Sequence, residues 1–150
     1  MFDFGCHRIE VLLHLFGGPA SVRAVISNAA FRDRDVEDTA VAAIRFDQGT
    51  CATVAVTHAS RESRDAFDVF ATEGALHVAR LNGGDLAVTT GSGTRRESHP
   101  PAANLHQPLV QDFVDAVLGG RAPAVTGEIG RAVALVEAQI YGGDVDAATC

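Results

Sequence analysis

The sequence predicts an α+β fold in which helices pack on one face of a mostly antiparallel sheet of about six strands. Three observations support this prediction: helical periodicity once near the start and twice near the end, a period of two through the middle, and turn residues between the middle segments. At 150 residues, of which 47% are apolar, the chain is long enough for one domain with a core and too short for two ordinary ones.

Three segments show the helical period. The first is the opening stretch, which the glycines and proline at 17–19 end. The second covers 106–120, where Pro108 is tolerable in the first turn and a glycine pair closes the helix. The third begins after Thr126, a plausible N-cap, and ends at the next glycine pair. The apolar faces comprise Phe2, Ile9, Leu12, Leu13 and Phe16; Leu109, Val110, Phe113, Val114 and Val117; and Ile129, Val133, Val136 and Ile140.

Six short segments between these helices predict antiparallel strands because they are rich in Val, Ala, Thr and Phe. Residues 46–50 predict a hairpin loop with Gly49 at positive φ, and 82–84 predict a second turn. The polar stretch 91–104, rich in Gly, Pro and Ser, predicts a loop or an irregular edge. We therefore expect one domain over 1–143, followed by a flexible tail at 144–150.

The segments at 40–46 and 51–56 are apolar at nearly every position rather than at alternate ones. This pattern is typical of a sheet that is covered on both faces. Three helices of this length cover one face at most, so the other, apolar face is expected to mediate association into a homo-oligomer. The alternative is that these small Ala and Val side chains are tolerated in water.

Composition excludes several classes of partner. The formal net charge is −7, and all 12 basic residues are arginines without a basic stripe, which disfavours nucleic-acid binding. No apolar run approaches the roughly 20 residues of a membrane span, and the opening residues lack the basic region of a signal peptide. Cys6, Cys51 and Cys150 form no C-x-x-C pair and are expected to be reduced. We therefore expect a cytoplasmic protein without a membrane partner.

One polar stripe in the first predicted helix could carry chemistry. Asp3, His7, Glu10 and His14 follow one another at spacings of four, three and four, so they lie roughly opposite the apolar face. An imidazole exchanges a proton near neutral pH, and a carboxylate one turn earlier can orient it. The same spacing equally fits the solvated side of an amphipathic helix.

Other site chemistries find little support in the sequence. An Asp-x-x-x-His pair supplies too few ligands for a metal site, and no further spacing completes a coordination shell. No G-x-S-x-G or G-x-G-x-x-G motif is present, so we predict neither a serine nucleophile nor cofactor-binding residues in this chain. Arg95 and Arg96 could contact an anionic group or be solvated, and His58 and His77 are expected to be structural histidines in strands.

The opening DFGCHRIEVLLHLFG resembles the D-x-G-x-H-x-(I/L)-(D/E)-x-(L/I) segment that enters the C-terminal domain of the Gfo/Idh/MocA oxidoreductase family. Later segments resemble that domain in the same order over nearly the whole chain. They are the hairpin VEDTAVAAIRFDQGTCATV, the turn FATEGAL, the segment LHQPLVQDFVDAVLGGRAPAVTGE and the final EAQIYGG.

This resemblance implies an α+β domain that binds substrate, mediates oligomerisation and normally follows a Rossmann domain for NAD(P). It implies a dehydrogenase acting on a sugar, inositol or related polyol. His7 would then be the general base that accepts the proton of the alcohol, and Asp3 its supporting carboxylate. Asn104 and His106 fall where family members often contact substrate, although an N-cap or a solvated histidine explains them equally well.

The sequence departs from the family pattern in two respects. Family members carry a lysine within an E-K-P motif of the Rossmann domain, whereas this sequence contains neither lysine nor that domain. The chain alone is therefore predicted to be inactive, and NAD or NADP would bind only if further sequence or a partner supplied a nucleotide-binding domain. The alternatives are a piece of a longer enzyme, a split enzyme, or a non-enzymatic binding or assembly module derived from the domain.

Overall fold

The computed structural model describes residue 1 and residues 3–142. The predicted tail at 144–150, and Phe2 of the predicted apolar face, lie outside the described residues. Contacts divide the chain into two compact units, which we describe separately: a first unit of Met1–Ser60 with Val125–Cys150, and a second unit of Arg61–Ala124. The single domain over 1–143 stays a prediction.

The described residues form an α+β structure, as predicted. The helices are α1 (Gly5–Phe16), α2 (Gln107–Gly119) and α3 (Gly127–Gly142), with a 3-10 turn at Leu81–Gly83. The strands are β1 (Pro19–Ser27), β2 (Thr39–Phe46), β3 (Cys51–Thr57), β4 (Phe67–Ala71), β5 (Gly74–Val78), β6 (Asp85–Thr90) and β7 (Gly93–Ser98). None of the described helices is both long and apolar enough to cross a bilayer.

The first unit contains a three-stranded antiparallel sheet in the order β1-β2-β3. Every second side chain of β2 is buried, from Ala40 to Phe46, and the intervening ones are exposed. Phe46 is fully buried, and its ring lies 5.4 Å from that of Phe16 in α1. Ile9 of α1 and Val136 of α3 are buried as well. One face of this sheet therefore belongs to the core, and the side chains of β2 on the other face are exposed in the part of the chain that the structure describes.

The β2–β3 hairpin confirms the predicted turn. The Phe46 N–H donates to the Thr50 carbonyl over 2.9 Å, and the Gly49 N–H donates to the Phe46 carbonyl over 2.9 Å. Gly49 has φ of 90°, which a residue with a Cβ rarely adopts. This turn sets the register that pairs Arg45 with Cys51, and hence which side chains of β2 face the core.

A buried carboxylate holds the loop between β1 and β2. Asp38 Oδ2 accepts the N–H groups of Ala30 and Phe31 over 2.6 and 2.9 Å, and Oδ1 accepts the Thr39 hydroxyl over 3.0 Å. The Phe31 N–H, with smaller help from the other two donors, lowers the pKa of the Asp38 carboxyl, although burial opposes the shift. A carboxylate with several donors is stable in its ionised form.

The second unit contains a four-stranded antiparallel sheet in the order β4-β5-β6-β7. The stretch 91–104 was predicted to be a loop or an irregular edge, and the structure has a regular edge strand at Gly93–Ser98, which pairs with β6 along its whole length. Their side chains are polar and gave no apolar alternation, but ladder hydrogen bonds use backbone groups and need no apolar side chain. The described strands therefore number seven in two sheets rather than about six in one.

The predicted second helix forms, but the structure leaves its apolar face exposed. A proline in the first turn and a left-handed C-cap at Gly120, with φ of 62°, mark its ends. Ala116 is the buried residue that the structure records in α2. The large apolar side chains that remain exposed are Leu109, Val110, Phe113, Val114, Val117 and Leu118.

Candidate functional site

An open groove in the first unit lies between α1 and α3 and has a volume of about 320 Å³. Its polar lining comes mainly from α1, and one side of α3 supplies apolar residues together with a carboxyl group. We call it the α1–α3 groove; it is lined by Cys6, His7, Glu10, Val125, Thr126, Ile129, Gly130, Val133 and Glu137. The predicted histidine therefore lies in a concave site of the size that holds small ligands.

The predicted pair does not start inside the helix. Asp3 lies in a turn, the Gly5 N–H donates to the Met1 carbonyl over 2.7 Å, and α1 begins at Gly5. The side chains of Asp3 and His7 are both exposed, and no hydrogen bond or ion pair to either side chain is recorded among the described residues. The roles of general base and supporting carboxylate stay predictions.

Glu137 is the residue in the groove that the sequence analysis missed. It is 5% exposed, and its Oε1 is buried without a hydrogen-bond partner in the described structure. Burial raises the pKa of the Glu137 carboxyl, an effect that the Met1 ammonium group partly offsets. A signal was present, since Glu137 lies four residues after Val133 and three before Ile140, which places a carboxyl on the apolar face of α3.

The remaining polar groups of the groove give it a negative charge. Glu10 is partly exposed, and the Cys6 thiol donates a hydrogen bond to the Asp3 carbonyl over 3.3 Å. No arginine lines the groove. Together with Val125, Ile129 and Val133, these groups make a site that offers hydrogen-bond partners and an apolar wall, but no cation to bind an acidic group.

The described residues do not form a site for a metal ion or for a dinucleotide. No cluster of three or more His, Cys, Asp or Glu side chains in the described part of the chain is arranged to hold a metal. Strand pairing within both described sheets is antiparallel. A dinucleotide is normally held where a parallel strand runs through a glycine-rich turn into a helix, so the residues present here do not fit NAD(P).

The two residues that the family resemblance suggests as substrate contacts lie in the second unit. Asn104 and His106 are both exposed, just before α2. The Asn104 Oδ1 accepts the backbone N–H of His106 over 3.1 Å, and the Asn104 carbonyl accepts the N–H of Gln107 over 3.0 Å. These bonds order the entry to α2, and a contact with substrate stays a prediction for both residues.

Two strand histidines were expected to be structural. His77 lies in β5, and its Nδ1 is 2.8 Å from Asp68 Oδ1, so this residue has the expected partner. His58 follows the end of β3 rather than lying in a strand, and its ring is 5.0 Å from that of Phe4. In β7, Arg95 donates to Glu97 over 2.7 Å.

Comparison with known proteins supports the predicted resemblance. Residues 1–77 match the profile of the GFO/IDH/MocA C-terminal domain. No curated protein sequence matches the chain significantly. Among solved structures, the chain is similar to UDP-N-acetylglucosamine 3-dehydrogenase from Acidithiobacillus ferrooxidans, with 27% identity and a TM-score of 0.77 over 90% of this chain and 44% of that one.

Two further structures share the fold. An aldose-aldose oxidoreductase from Caulobacter crescentus, complexed with glycerol, is 23% identical with a TM-score of 0.77 over 91% of this chain and 42% of that one. A levoglucosan dehydrogenase, complexed with NADH and levoglucosan, is 23% identical with a TM-score of 0.78 over 92% of this chain and 46% of that one.

The chain thus spans less than half the length of each of these proteins. The matched profile covers half of the chain, from the motif around His7 through both sheets' first strands. The chain belongs to the GFO/IDH/MocA family and corresponds to its C-terminal domain.

Proposed function

We propose that this chain is the substrate-binding domain of an NAD(P)-dependent dehydrogenase that acts on a sugar, inositol or related polyol. The observation that carries the proposal is the place of His7 in the α1–α3 groove of a chain of this family. The name of the Acidithiobacillus ferrooxidans relative describes a dehydrogenase of a nucleotide sugar. The solved structures that share the fold of this chain include a levoglucosan dehydrogenase in complex with NADH and levoglucosan.

In the proposed reaction, a substrate carbinol is oxidised to a carbonyl compound. The His7 ring accepts the hydroxyl proton, and the Asp3 carboxylate, one turn earlier, stabilises the imidazolium that forms. A nicotinamide cofactor would supply the hydride acceptor, and a separate nucleotide-binding domain would have to hold it, because the described residues of this chain do not fit the dinucleotide. This chain contributes binding, orientation and the proton acceptor.

The proposal is tested in a chimera that joins this chain to the nucleotide-binding half of the Acidithiobacillus ferrooxidans relative. With sugars and inositols as substrates, His7→Ala is expected to lower kcat by roughly 10²-fold or more, which is the usual worth of a general base. His14→Ala is the matched control, because His14 is exposed on the same helix and does not line the groove. An equal rate in the His7→Ala variant would assign His7 to the solvated side of α1.

The chain alone serves as the control for the cofactor. We expect no saturable quenching of NADH or NADPH fluorescence by the isolated chain, whereas the chimera should show it. A chimera that binds the cofactor and oxidises none of the substrates favours the alternative function, a binding or assembly module.

The free thiols of Cys6 and Cys51 are consistent with the proposed location in the reducing cytoplasm.

We also propose that the chain forms a homo-oligomer through the open face of the three-stranded sheet. Val25 is 73% exposed there and pairs with Val41, which is 45% exposed and pairs in turn with Ala55. Apolar side chains thus form a continuous row across three strands, on a face that none of the described helices of the first unit covers. Rows of this kind are a common core of subunit interfaces.

Sedimentation velocity tests the association. The wild-type chain is expected to sediment as an oligomer at micromolar concentration, and Val25→Asp should shift it toward the monomer because a carboxylate would be desolvated in the interface. Val36→Asp provides a control at an exposed valine of the loop before β2. A monomeric wild-type chain would remove this part of the proposal.

A further inference from the structure

The strongest unexplained feature of the molecule is the Glu137 carboxyl group. It is buried in the wall of the α1–α3 groove, and its Oε1 has no hydrogen-bond partner in the described structure. Buried polar groups in folded proteins nearly always have a partner, so an unpartnered one points to a functional role or to a bound water, ion or ligand that completes the bonding. The dehydrogenase reaction proposed above uses His7 and Asp3 and assigns no role to Glu137.

We propose that Glu137 is the polar anchor of a ligand site in the α1–α3 groove, where its carboxylate accepts a hydrogen bond from a hydroxyl group of an uncharged, single-ring polyol. The inference rests on the proposed function in one respect, since it takes the bound polyol to be the molecule whose hydroxyl His7 deprotonates. Glu137 is a binding residue in this scheme and takes no proton from the substrate.

The volume and wall of the groove define the ligand. About 320 Å³ lies at the small end of the range of ligand pockets, about 300–1,000 Å³, so the groove suits one ring better than a nucleotide sugar. Val125, Ile129 and Val133 supply an apolar wall against which the C–H face of a ring can pack. Thr126 and His7 add hydrogen-bonding groups for further hydroxyls.

Charge decides between ligands of similar size. A carboxylate or phosphate on the ligand would meet Glu10 and Glu137 in a groove that no arginine lines, so an acidic ring is repelled. An ammonium group would lose its hydration against the three apolar residues. A hydroxyl group can satisfy the Glu137 oxygen without either cost.

The charge argument is tested with three probes that differ in one substituent: D-glucose, D-glucosamine and D-glucuronate. Binding to the isolated chain is measured by ligand-observed NMR at neutral pH. D-Glucose is expected to bind with a Kd on the order of millimolar and D-glucuronate at least about ten times more weakly. Equal or tighter binding of glucuronate or glucosamine would overturn the assignment to an uncharged ligand. Absence of saturable glucose binding at about 100 mM, well above a millimolar Kd, would overturn the site itself.

The role of Glu137 is tested with two substitutions. Glu137→Leu removes the acceptor and is expected to weaken glucose binding by about ten-fold or more, whereas Glu137→Gln keeps an acceptor at the same position and should bind within about three-fold of wild type. Glu73→Leu makes the same change at an exposed carboxylate that does not line the groove and should bind as wild type does. Equal weakening by the Leu and Gln variants, or none by either, would exclude the anchor role.

The results for the two proposals can be told apart. Glucose binding that depends on Glu137, together with a kcat that His7→Ala leaves unchanged in the chimera, would retain the binding site and remove the reaction. Loss of turnover in His7→Ala, together with glucose binding that is unchanged in Glu137→Leu, would retain the reaction and remove the anchor.

Discussion

The two units of the chain differ in how they use their apolar residues. The first unit buries Ile9, Ile44, Phe46 and Val136 between its sheet and its helices. In the second unit, the buried apolar residues that the structure records are Val78 and Ala116, whereas large side chains such as Phe70 and Leu118 are 77% and 82% exposed. Both units have comparable antiparallel sheets, so the difference lies in what packs against them.

This difference teaches that apolar periodicity alone does not tell a core from a contact surface. The faces of α1 and α2 follow the same helical repeat in the sequence, yet α1 buries Ile9 and Leu12 and α2 buries only Ala116 among its described residues. The apolar side chains of a core helix stabilise the fold because folding removes them from water. An exposed apolar face contributes little until a partner covers it.

The largest expected effect comes from a ring at the centre of the first unit. Phe46→Ala removes a fully buried side chain that packs against Phe16, and it should lower the free energy of unfolding by about 3–5 kcal/mol. Phe70→Ala makes the same change at an exposed position of the second unit and should stay within about 0.5 kcal/mol. Urea denaturation measures both. Similar losses in the two variants would contradict the contrast in burial between the units.

The next effect concerns the carboxylate that holds the β1–β2 loop. Because the folded-state pKa of Asp38 is lowered, its contribution to stability is present above the unfolded-state pKa and is lost as pH falls through the folded-state value. Asp38→Asn should therefore destabilise the chain at neutral pH, and the difference from wild type should shrink in acid.

Thermal unfolding at a series of pH values measures the Asp38 effect. Asp112 of α2 provides the comparison in the second unit, where its Oδ2 accepts the Ala124 N–H over 2.6 Å and its Oδ1 the Arg121 guanidinium over 2.7 Å. Asp112→Asn is expected to cost less, because Asp112 is more exposed than Asp38. A pH-independent difference between wild type and Asp38→Asn would exclude the ionised carboxylate as the stabilising group.

The smallest expected effect concerns Glu137, whose contribution to stability changes with pH in the opposite direction to that of Asp38. Burial raises the folded-state pKa of Glu137, so its favourable contribution is complete at low pH and is lost as pH rises through that pKa. The groups that share its groove are Cys6, His7 and Glu10 of α1, and the Met1 ammonium partly offsets the shift. Glu137→Gln cannot ionise, so we expect it to gain stability over wild type as pH increases from acid to neutral.

The same pH series measures the Glu137 effect in the free chain. Glu73→Gln, at an exposed carboxylate of the second unit, should follow wild type across the range. A Glu137→Gln variant that loses stability relative to wild type as pH rises would show that the carboxylate has a partner that stabilises its charged form.

The local elements of this protein could be predicted from the amino-acid sequence. The helical repeats, the strands from β1 to β6 and the turn around Gly49 follow from local composition and backbone geometry, because each depends on residues within a few positions of one another. Strand β7 was missed because its polar side chains carry no alternation, whereas its pairing uses backbone groups alone. The motif around His7 could also be recognised, because a short contiguous motif can be identified without knowing how the chain packs.

Which faces are buried, and which side chains meet, depends on how the elements pack in three dimensions. Residues of α1 and α3, from opposite ends of the sequence, form the groove that places His7 and Glu137 in one site. The spacing of Glu137 in α3 places it on the apolar face, but it does not show that one carboxyl oxygen would lie buried without a partner among the described residues. Burial depends on contacts between distant segments, and a local pattern specifies the shape of an element but not the neighbour against which it packs.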